Sequence, residues 1–210
     1  DDPVGWVKDG NFTNIYDYGL GIWWSKTDRP LLASVEQSNP ELFEKALRGY
    51  HDRVVAAGGT LYFPIPKLDN AADQQFAETL IATSGDMPCF CDPAGGITAP
   101  APGIAALLKL KTKHPALYQN SLRRQIHTSD PHLYAVERYA AGNSERLLLI
   151  FNFSAQPVKA TVDVGAVHGS RYTDLLTGTP VPVSGYHLPV SLDGHGYRIL
   201  QVEGYSTGSH

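Results

Sequence analysis

Three loops of this sequence carry side chains that could do chemistry. The first follows Tyr16, the second spans residues 68–73 and contains Asp69, Asn70 and Asp73, and the third begins at Asp92. A carboxyl group can transfer a proton or attack an electrophilic carbon, and both carboxylates and amides can hydrogen-bond a polar ligand. Each loop follows a predicted strand, and loops after parallel strands are where α/β proteins bind ligands. Asp73 also has a simpler interpretation, as the N-cap of the helix that begins after it.

The loop after the first predicted strand is rich in aromatic residues, with Tyr16, Tyr18, Trp23 and Trp24 close together. Such a group either packs in a core against helices or presents flat apolar faces to a ligand. The sequence alone leaves both interpretations open.

Alternating strands and helices over residues 11–113 position these loops. Strands are predicted within 11–24, at 60–65 and at 87–91, and helices from Pro40, at 74–83 and at 102–113. Asn39 is predicted to cap the first helix, and Gly58-Gly59 to end it. Strand–helix repeats predict a parallel sheet with helices outside. Three such units leave an open edge and an uncovered face, so this region looks like part of a larger array.

Residues 129–203 have a different pattern, of short strands separated by Gly and Asn turns. The run from Leu147 to Phe151 is continuously apolar, which predicts a strand buried on both faces. Alternating segments at 133–139, 158–164, 171–176 and 197–202 surround it. Short strands at this spacing predict an antiparallel Greek-key β-sandwich.

Composition excludes several classes of function. The chain has 210 residues, 42% of them hydrophobic, and a net charge of −4. No long basic run and no segment of membrane-spanning length occur, so neither nucleic acid nor membrane is an expected partner. Cys89 and Cys91 are predicted to be free thiols, with no disulfide and no metal site. Because the first residue is Asp1, we expect a chain that was processed, cut or shown in part.

Three segments of the first region resemble the α-amylase family of glycoside hydrolases. Leu68-Asp69-Asn70 with Asp73-Gln-Gln-Phe76 is similar to the family's LDNHD…RF segment after its seventh barrel strand. Residues 85–96 resemble its PGMPLIYYGDEIG eighth strand and loop, and residues 104–117 resemble its closing helix. The β-module, including residues 172–178, resembles the family's C-terminal sandwich. The match rests on the order and spacing of these segments and covers about residues 11–203.

The resemblance implies an α/β region followed by an all-β region. Residues 1–126 would be the last three βα units of a partial (β/α)₈ barrel, 127–204 the antiparallel Greek-key β-sandwich, and 205–210 a linker or tag remnant. It also implies the C-terminal portion of a glycoside hydrolase acting on α-glucosides or α-glucans. The nucleophile and the acid would lie upstream of Asp1, so the isolated chain is expected to be inactive.

The same resemblance names candidate site residues. Asp73 is the candidate catalytic residue. The candidate substrate-binding residues are Asp69, Asn70, Tyr16, Trp23, Trp24 and Asp92. Ala71 and Ala72 stand where the family has His and Asp, so Asp73 replaces that Asp only if the loop shifts by one residue. Asn70 either contacts sugar or shapes the loop.

The two alanines keep a second hypothesis open, a non-catalytic, degenerate amylase-like module that binds sugar or protein. A third hypothesis is a structural β-module with an incidental α/β lead-in. The expected partners are an α-glucan or α-glucoside and a second polypeptide or another copy of the chain that completes the barrel. No cofactor is expected. Localisation is left open between the cytoplasm and a secreted or periplasmic compartment of bacterial type.

Overall fold

The computed structural model describes residues 3–10, 12–17, 20–21, 29–64, 68, 70–84, 86–89, 103–140, 142, 145–165, 169 and 171–204. The chain divides into two compact units, Asp1–Asn120 and Ser121–His210. This division precedes the predicted boundary between 126 and 127, because residues 122–126 form a strand that pairs within the second unit. The predicted remnant at 205–210 lies outside the described residues.

The first unit combines short parallel strands with helices. Its strands are β1 (Asn14–Tyr16), β2 (Thr60–Pro64) and β3 (Met87–Cys89). Its helices are α1 (Pro3–Lys8), α2 (Pro30–Glu36), α3 (Pro40–Ala46), α4 (Asp52–Ala56), α5 (Ala71–Ser84) and α6 (Ile104–Lys113). One turn of π-helix, Leu47–His51, joins α3 to α4, and a 3-10 turn, Pro115–Leu117, follows α6.

The strands of the first unit form a parallel sheet in the order β1–β2–β3, as the strand–helix alternation predicts. Ile15 lies opposite Leu61, and both pack with Val54 of α4 in a buried cluster. Tyr16 lies opposite Tyr62 in the next register position, so these two side chains point to the other face. One face of the sheet is therefore covered by helices.

Helix ends follow the local sequence, with one correction. The side chain of Asn39 accepts a hydrogen bond from Glu41 N at 3.1 Å, which confirms the predicted cap of α3. Gly58 has φ +91°, and its N–H bonds back to Val55 O, so the helical run ends where the glycines predict. The prediction that Asp73 caps the next helix is wrong, because α5 already begins at Ala71.

The second unit is antiparallel. Its strands are β4 (Leu122–Ile126), β5 (Leu133–Tyr139), β6 (Arg146–Asn152), β7 (Val158–Asp163), β8 (Arg171–Asp174), β9 (Pro180–Val181), β10 (His187–Leu192) and β11 (Tyr197–Glu203). Six of them form a sheet in the order β4–β5–β6–β11–β8–β9, and β7 pairs with β10 in a second sheet. Leu148 and Ile150 share one buried cluster with Val162 and Leu188, so the core lies between the two sheets.

β6 is central in the larger sheet, as its apolar run predicts. It pairs with β5 on one side and β11 on the other. Its residues from Leu147 to Phe151 are at most 2% exposed, which confirms that both faces are buried. In the first unit Cys89 forms no disulfide, and Cys91 lies outside the described residues. Within the described part of the chain, no helix is long and apolar enough to cross a membrane.

Candidate functional site

Asn70, a predicted substrate-binding residue, caps helix α5. Its side-chain oxygen accepts a hydrogen bond from Ala72 N at 2.8 Å, and its carbonyl accepts one from Gln74 N at 2.9 Å. The Gln74 side chain in turn accepts from Leu68 N at 2.7 Å, which holds the chain just before the helix. These contacts give Asn70 the loop-shaping role that the sequence left open.

Asp73, the predicted catalytic residue, lies in the first turn of α5 and is half-buried. A carboxylate at this position interacts favourably with the partial positive charge of the helix N-terminus. The two alanines of the family's His-Asp position, Ala71 and Ala72, are exposed in the same turn. The structure thus brings Asn70 and Asp73 to one helix end.

Tyr16, another predicted contact, is at the end of β1 and is 37% exposed. Its ring lies 4.2 Å from the ring of Tyr62, tilted by 46°. The Tyr50 hydroxyl donates to Tyr16 O at 3.3 Å, which fixes the strand end. The other predicted contacts, Trp23, Trp24, Asp69 and Asp92, lie outside the described residues.

An aromatic depression of about 310 Å³ surrounds Tyr16. It is lined by Trp6, Phe12, Asn14, Ile15, Tyr16 and Tyr62. Trp6, Phe12 and Tyr62 are not among the site residues predicted from the sequence. The alternation in β2 could have identified Tyr62, because its neighbours Leu61 and Phe63 are the buried residues of that strand.

A buried ionic cluster, formed by Asp17, His51 and Asp86, was not predicted from the sequence. Asp17 follows β1, His51 ends the π turn and Asp86 immediately precedes β3. Their exposed fractions are 1%, 3% and 0%. His51 Nδ1 lies 2.7 Å from Asp86 Oδ1 and 3.6 Å from Asp17 Oδ2. The imidazole of His51 thus faces the carboxyl groups of Asp17 and Asp86, and all three side chains are buried from solvent.

Electrostatics within this cluster favour bound protons. Burial, together with the nearby charge of Asp86, raises the pKa of Asp17 from 3.8 to about 7. Burial alone would lower the pKa of His51, but its contacts with Asp17 and Asp86 outweigh that effect and raise the pKa from 6.5 to about 9. The imidazole is therefore positively charged at neutral pH.

Neighbouring backbone groups hold the cluster in place. Leu20 N donates to Asp17 Oδ1 at 3.2 Å, which orients that carboxylate. The ammonium of Lys111, on α6, donates to Asp86 O at 2.7 Å and to Ala82 O at 3.2 Å. The π turn sets the direction of His51, because its wider turn changes the angular position of every residue after it.

Comparison with known proteins gives one family match. Residues 123–199 match the model of the maltogenic amylase C-terminal domain. None of the curated proteins matches the chain.

Solved structures of α-amylases share the fold. The α-amylase from H. orenii has 12% identity and a TM-score of 0.67, with 97% of this chain covering 52% of that protein. AmyP in complex with maltose has 11% identity and a TM-score of 0.67, with coverage of 94% and 51%. The noncanonic maltogenic α-amylase AmyB from Thermotoga neapolitana has 14% identity and a TM-score of 0.65, with coverage of 97% and 53%.

The chain spans about half the length of each of these α-amylases. The family match covers the second unit, and the structural matches extend over most of the chain. Together they confirm the resemblance seen in the sequence: the second unit matches the maltogenic amylase C-terminal domain, and the fold of most of the chain is similar to about half of an α-amylase.

Proposed function

We propose that this chain is the C-terminal part of an α-amylase-like glycoside hydrolase acting on α-glucosides or α-glucans. In this proposal its three βα units complete a (β/α)₈ barrel whose other units, with the nucleophile and the acid, come from an upstream segment. The observation that carries the proposal is the exposure of Tyr16 and Met87 on one face of the parallel sheet in the first unit.

This open face is formed by Tyr16, Tyr62 and Met87, which occupy matching register positions on the three strands. Tyr16 is 37% exposed and Met87 59% exposed. Parallel sheets are ordinarily covered on both faces, because crossover helices or further strands pack against them. In a closed barrel such inward side chains fill the interior. The similarity to about half of each solved α-amylase supports this explanation.

The catalytic pair is assigned to the upstream segment on chemical grounds. Retaining glycoside hydrolysis needs two carboxyl groups about 5–5.5 Å apart and open to the sugar. Asp17 and Asp86 do not meet the second requirement, because both are buried in the cluster with His51. Asp73 stays the candidate among the later loops, where a carboxylate would stabilise positive charge on the distorted sugar ring.

Sugar contacts are assigned to the loops at the strand ends. Because the Asn70 oxygen is engaged by Ala72 N, its amide nitrogen can donate to a sugar hydroxyl. Asp69 and Asp92 would accept from hydroxyl groups. Tyr16, with Trp23 and Trp24, would offer aromatic faces to the apolar face of a pyranose. AmyP and its maltose complex show that a protein of this fold can hold an α-glucan fragment.

A direct test compares the 210-residue chain with a protein that carries the upstream segment. We expect the chain alone to leave a chromogenic α-glucoside unchanged, and the longer protein to hydrolyse it. A longer protein that binds maltotriose without turnover would instead indicate the non-catalytic module. Turnover by the chain alone would contradict the assignment of the catalytic pair.

The role of Asn70 has a matched control within the chain. Asn70 and Asn39 both cap helices through the side-chain oxygen. We expect Asn70→Ala to raise KM of the longer protein about tenfold, whereas Asn39→Ala leaves KM unchanged, since one amide hydrogen bond corresponds to about 1.4 kcal/mol. Equal KM values for the two variants would limit Asn70 to capping.

A further inference from the structure

We propose that Asp17, His51 and Asp86 form a binding site for one divalent transition-metal ion, with Zn²⁺ as the best-fitting ion. The site would tie β1, the π turn and the start of β3 together beneath the helices. It is independent of the proposed glycosidase function, because it lies on the buried side of the sheet.

The ligand atoms already lie close enough to share one ion. One nitrogen from His51 and one oxygen from each aspartate all lie within 4.8 Å of one another. Zn²⁺ binds nitrogen and oxygen at about 2.0–2.2 Å, which places tetrahedral ligand atoms about 3.3 Å apart. The 3.6 Å separation of Asp17 Oδ2 from His51 Nδ1 fits this value. The 2.7 Å separation of His51 Nδ1 from Asp86 Oδ1 would open by roughly half an ångström to let an ion bind both atoms.

Unsatisfied polar atoms point into the cluster. Asp86 is fully buried, yet neither of its carboxylate oxygens has a hydrogen bond from the residues that the structure describes. His51 Nδ1 is within ion-pair distance of Asp86 but makes no aligned hydrogen bond with it. A buried carboxylate without donors is costly, and a bound cation removes that cost.

Charge balance favours a divalent ion. Two ionised carboxylates beside one imidazolium would leave an excess negative charge in a buried place, and the raised pKa of Asp17 reflects that cost. A divalent ion with two carboxylates and a neutral imidazole is balanced. The ligand set selects the type of ion, since imidazole suits Zn²⁺ and its neighbours, whereas Ca²⁺ and Mg²⁺ prefer oxygen ligands only.

The surroundings resemble the supporting contacts of protein metal sites. Asp17 is oriented by Leu20 N, and the backbone at Asp86 is held by the Lys111 ammonium. The three proposed ligands come from three separate parts of the fold, so a bound ion would have a structural role. It would fix the relative positions of β1, the helical run and β3.

The test uses the full chain after treatment with a chelator, titrated with Zn²⁺ alone and followed by equilibrium dialysis with elemental analysis. We expect one Zn²⁺ per chain and a rise in Tm as the ion is added. We expect Kd to rise about 100-fold or more in His51→Asn and Asp86→Asn, as for loss of a direct ligand. His127→Asn, which removes an exposed histidine of the second unit, should leave Kd unchanged.

Two outcomes would overturn the proposal. One is a wild-type chain that takes up no Zn²⁺ at micromolar concentration, in which case the cluster holds protons only. The other is His51→Asn binding Zn²⁺ as tightly as the wild type. If the variants do not fold, X-ray absorption of the Zn²⁺-loaded wild type still decides. Nitrogen and oxygen ligands support the site, and sulfur ligands contradict it by indicating the cysteines.

Discussion

The two units bury their sheets in different ways. In the second unit, the two antiparallel sheets enclose one core between them, and Leu148 and Val162 from opposite sheets are both fully buried. In the first unit, Leu61 packs under helices, while Met87 on the opposite face is 59% exposed. The second unit therefore buries the apolar faces of both its sheets, whereas the first unit exposes a face that parallel sheets ordinarily bury.

The buried ionic clusters of the two units have opposite arrangements of charge, with one acid between two bases in the second unit and one base between two acids in the first. In the second unit Glu137 is fully buried and faces two arginines, Arg124 at 2.5 Å and Arg146 at 2.7 Å. In the first unit His51 faces two aspartates. Arginine stays charged at all ordinary pH values, but histidine and a perturbed aspartate do not. The protonation of the first unit's cluster therefore varies with pH, because its members include a histidine and an aspartate with raised pKa values.

The largest effect is expected in the core of the second unit. Leu148→Ala should lower the free energy of unfolding of that unit by about 3 kcal/mol, because it removes a fully buried side chain and leaves a cavity. Hydrogen exchange of the β6 amides measures the loss. A change below about 1 kcal/mol would show that the sandwich core is less tightly packed than the structure indicates.

A smaller effect is expected in the first unit, where the stability of the metal-free protein should depend on pH. The raised pKa of His51, from 6.5 to about 9, stabilises the fold fully below pH 6.5, and this contribution is lost as pH rises through 9. Asp17, with its pKa raised from 3.8 to about 7, acts in the same direction, losing its contribution as pH rises through 7. The other charged groups near His51 and Asp17 are Asp86, which contacts His51, and Lys111, whose ammonium donates to the backbone carbonyl of Asp86.

We therefore expect the first unit to become less stable between pH 5 and pH 9. Tryptophan fluorescence measures it selectively, because Trp6, Trp23 and Trp24 all lie in that unit. His51→Asn should flatten the dependence above pH 7. Stability that rises with pH over this range would contradict the charge assignment of the cluster.

The next effect concerns the correction at helix α5. Asn70→Ala should cost about 1 kcal/mol, because it removes the side-chain cap on Ala72 N. Asp73→Ala should cost about 0.5 kcal/mol, since it removes a charge near the helix N-terminus. Denaturant unfolding followed by tryptophan fluorescence measures both. The reverse order would restore Asp73 as the cap.

The smallest effect on stability is expected on the open face. Met87→Gln should change the free energy of unfolding of the chain by less than about 0.5 kcal/mol, because the side chain is exposed. It should also reduce self-association, which light scattering measures, because it removes apolar surface from the open face. A strongly destabilised variant would show that this face is already covered within the chain.

Much of the second unit is predictable from sequence because its signals are local. The apolar run of β6 and the alternation of β5 identify both strands. β10 is less evident because Pro189 interrupts its pattern. The structure accommodates this proline since β10 pairs with β7 in a two-stranded sheet, and an edge strand tolerates a missing N–H. The predicted boundary between 126 and 127 places β4 in the first region. β4 follows the last helix of that region closely in sequence, and its pairing with β5 is evident only from the structure.

The ionic cluster could not be predicted because no spacing motif contains it. Asp17, His51 and Asp86 are far apart in sequence, and only the parallel order of the strands brings them together. The cap at Asn70 was missed for a local reason. Two alanines after it carry strong helix propensity, so the helix begins earlier than the position of Asp73 indicates.

The most direct test of the open face uses the chemistry of Met87, which is the single methionine of the chain. Dilute peroxide adds one oxygen atom to an exposed thioether, and intact mass measures the rate. We predict rapid oxidation in the isolated chain and oxidation about tenfold slower or more in a protein carrying the upstream segment, because barrel strands would cover the side chain. Equal rates in the two proteins would contradict the account, since nothing would then cover the face formed by Tyr16, Tyr62 and Met87.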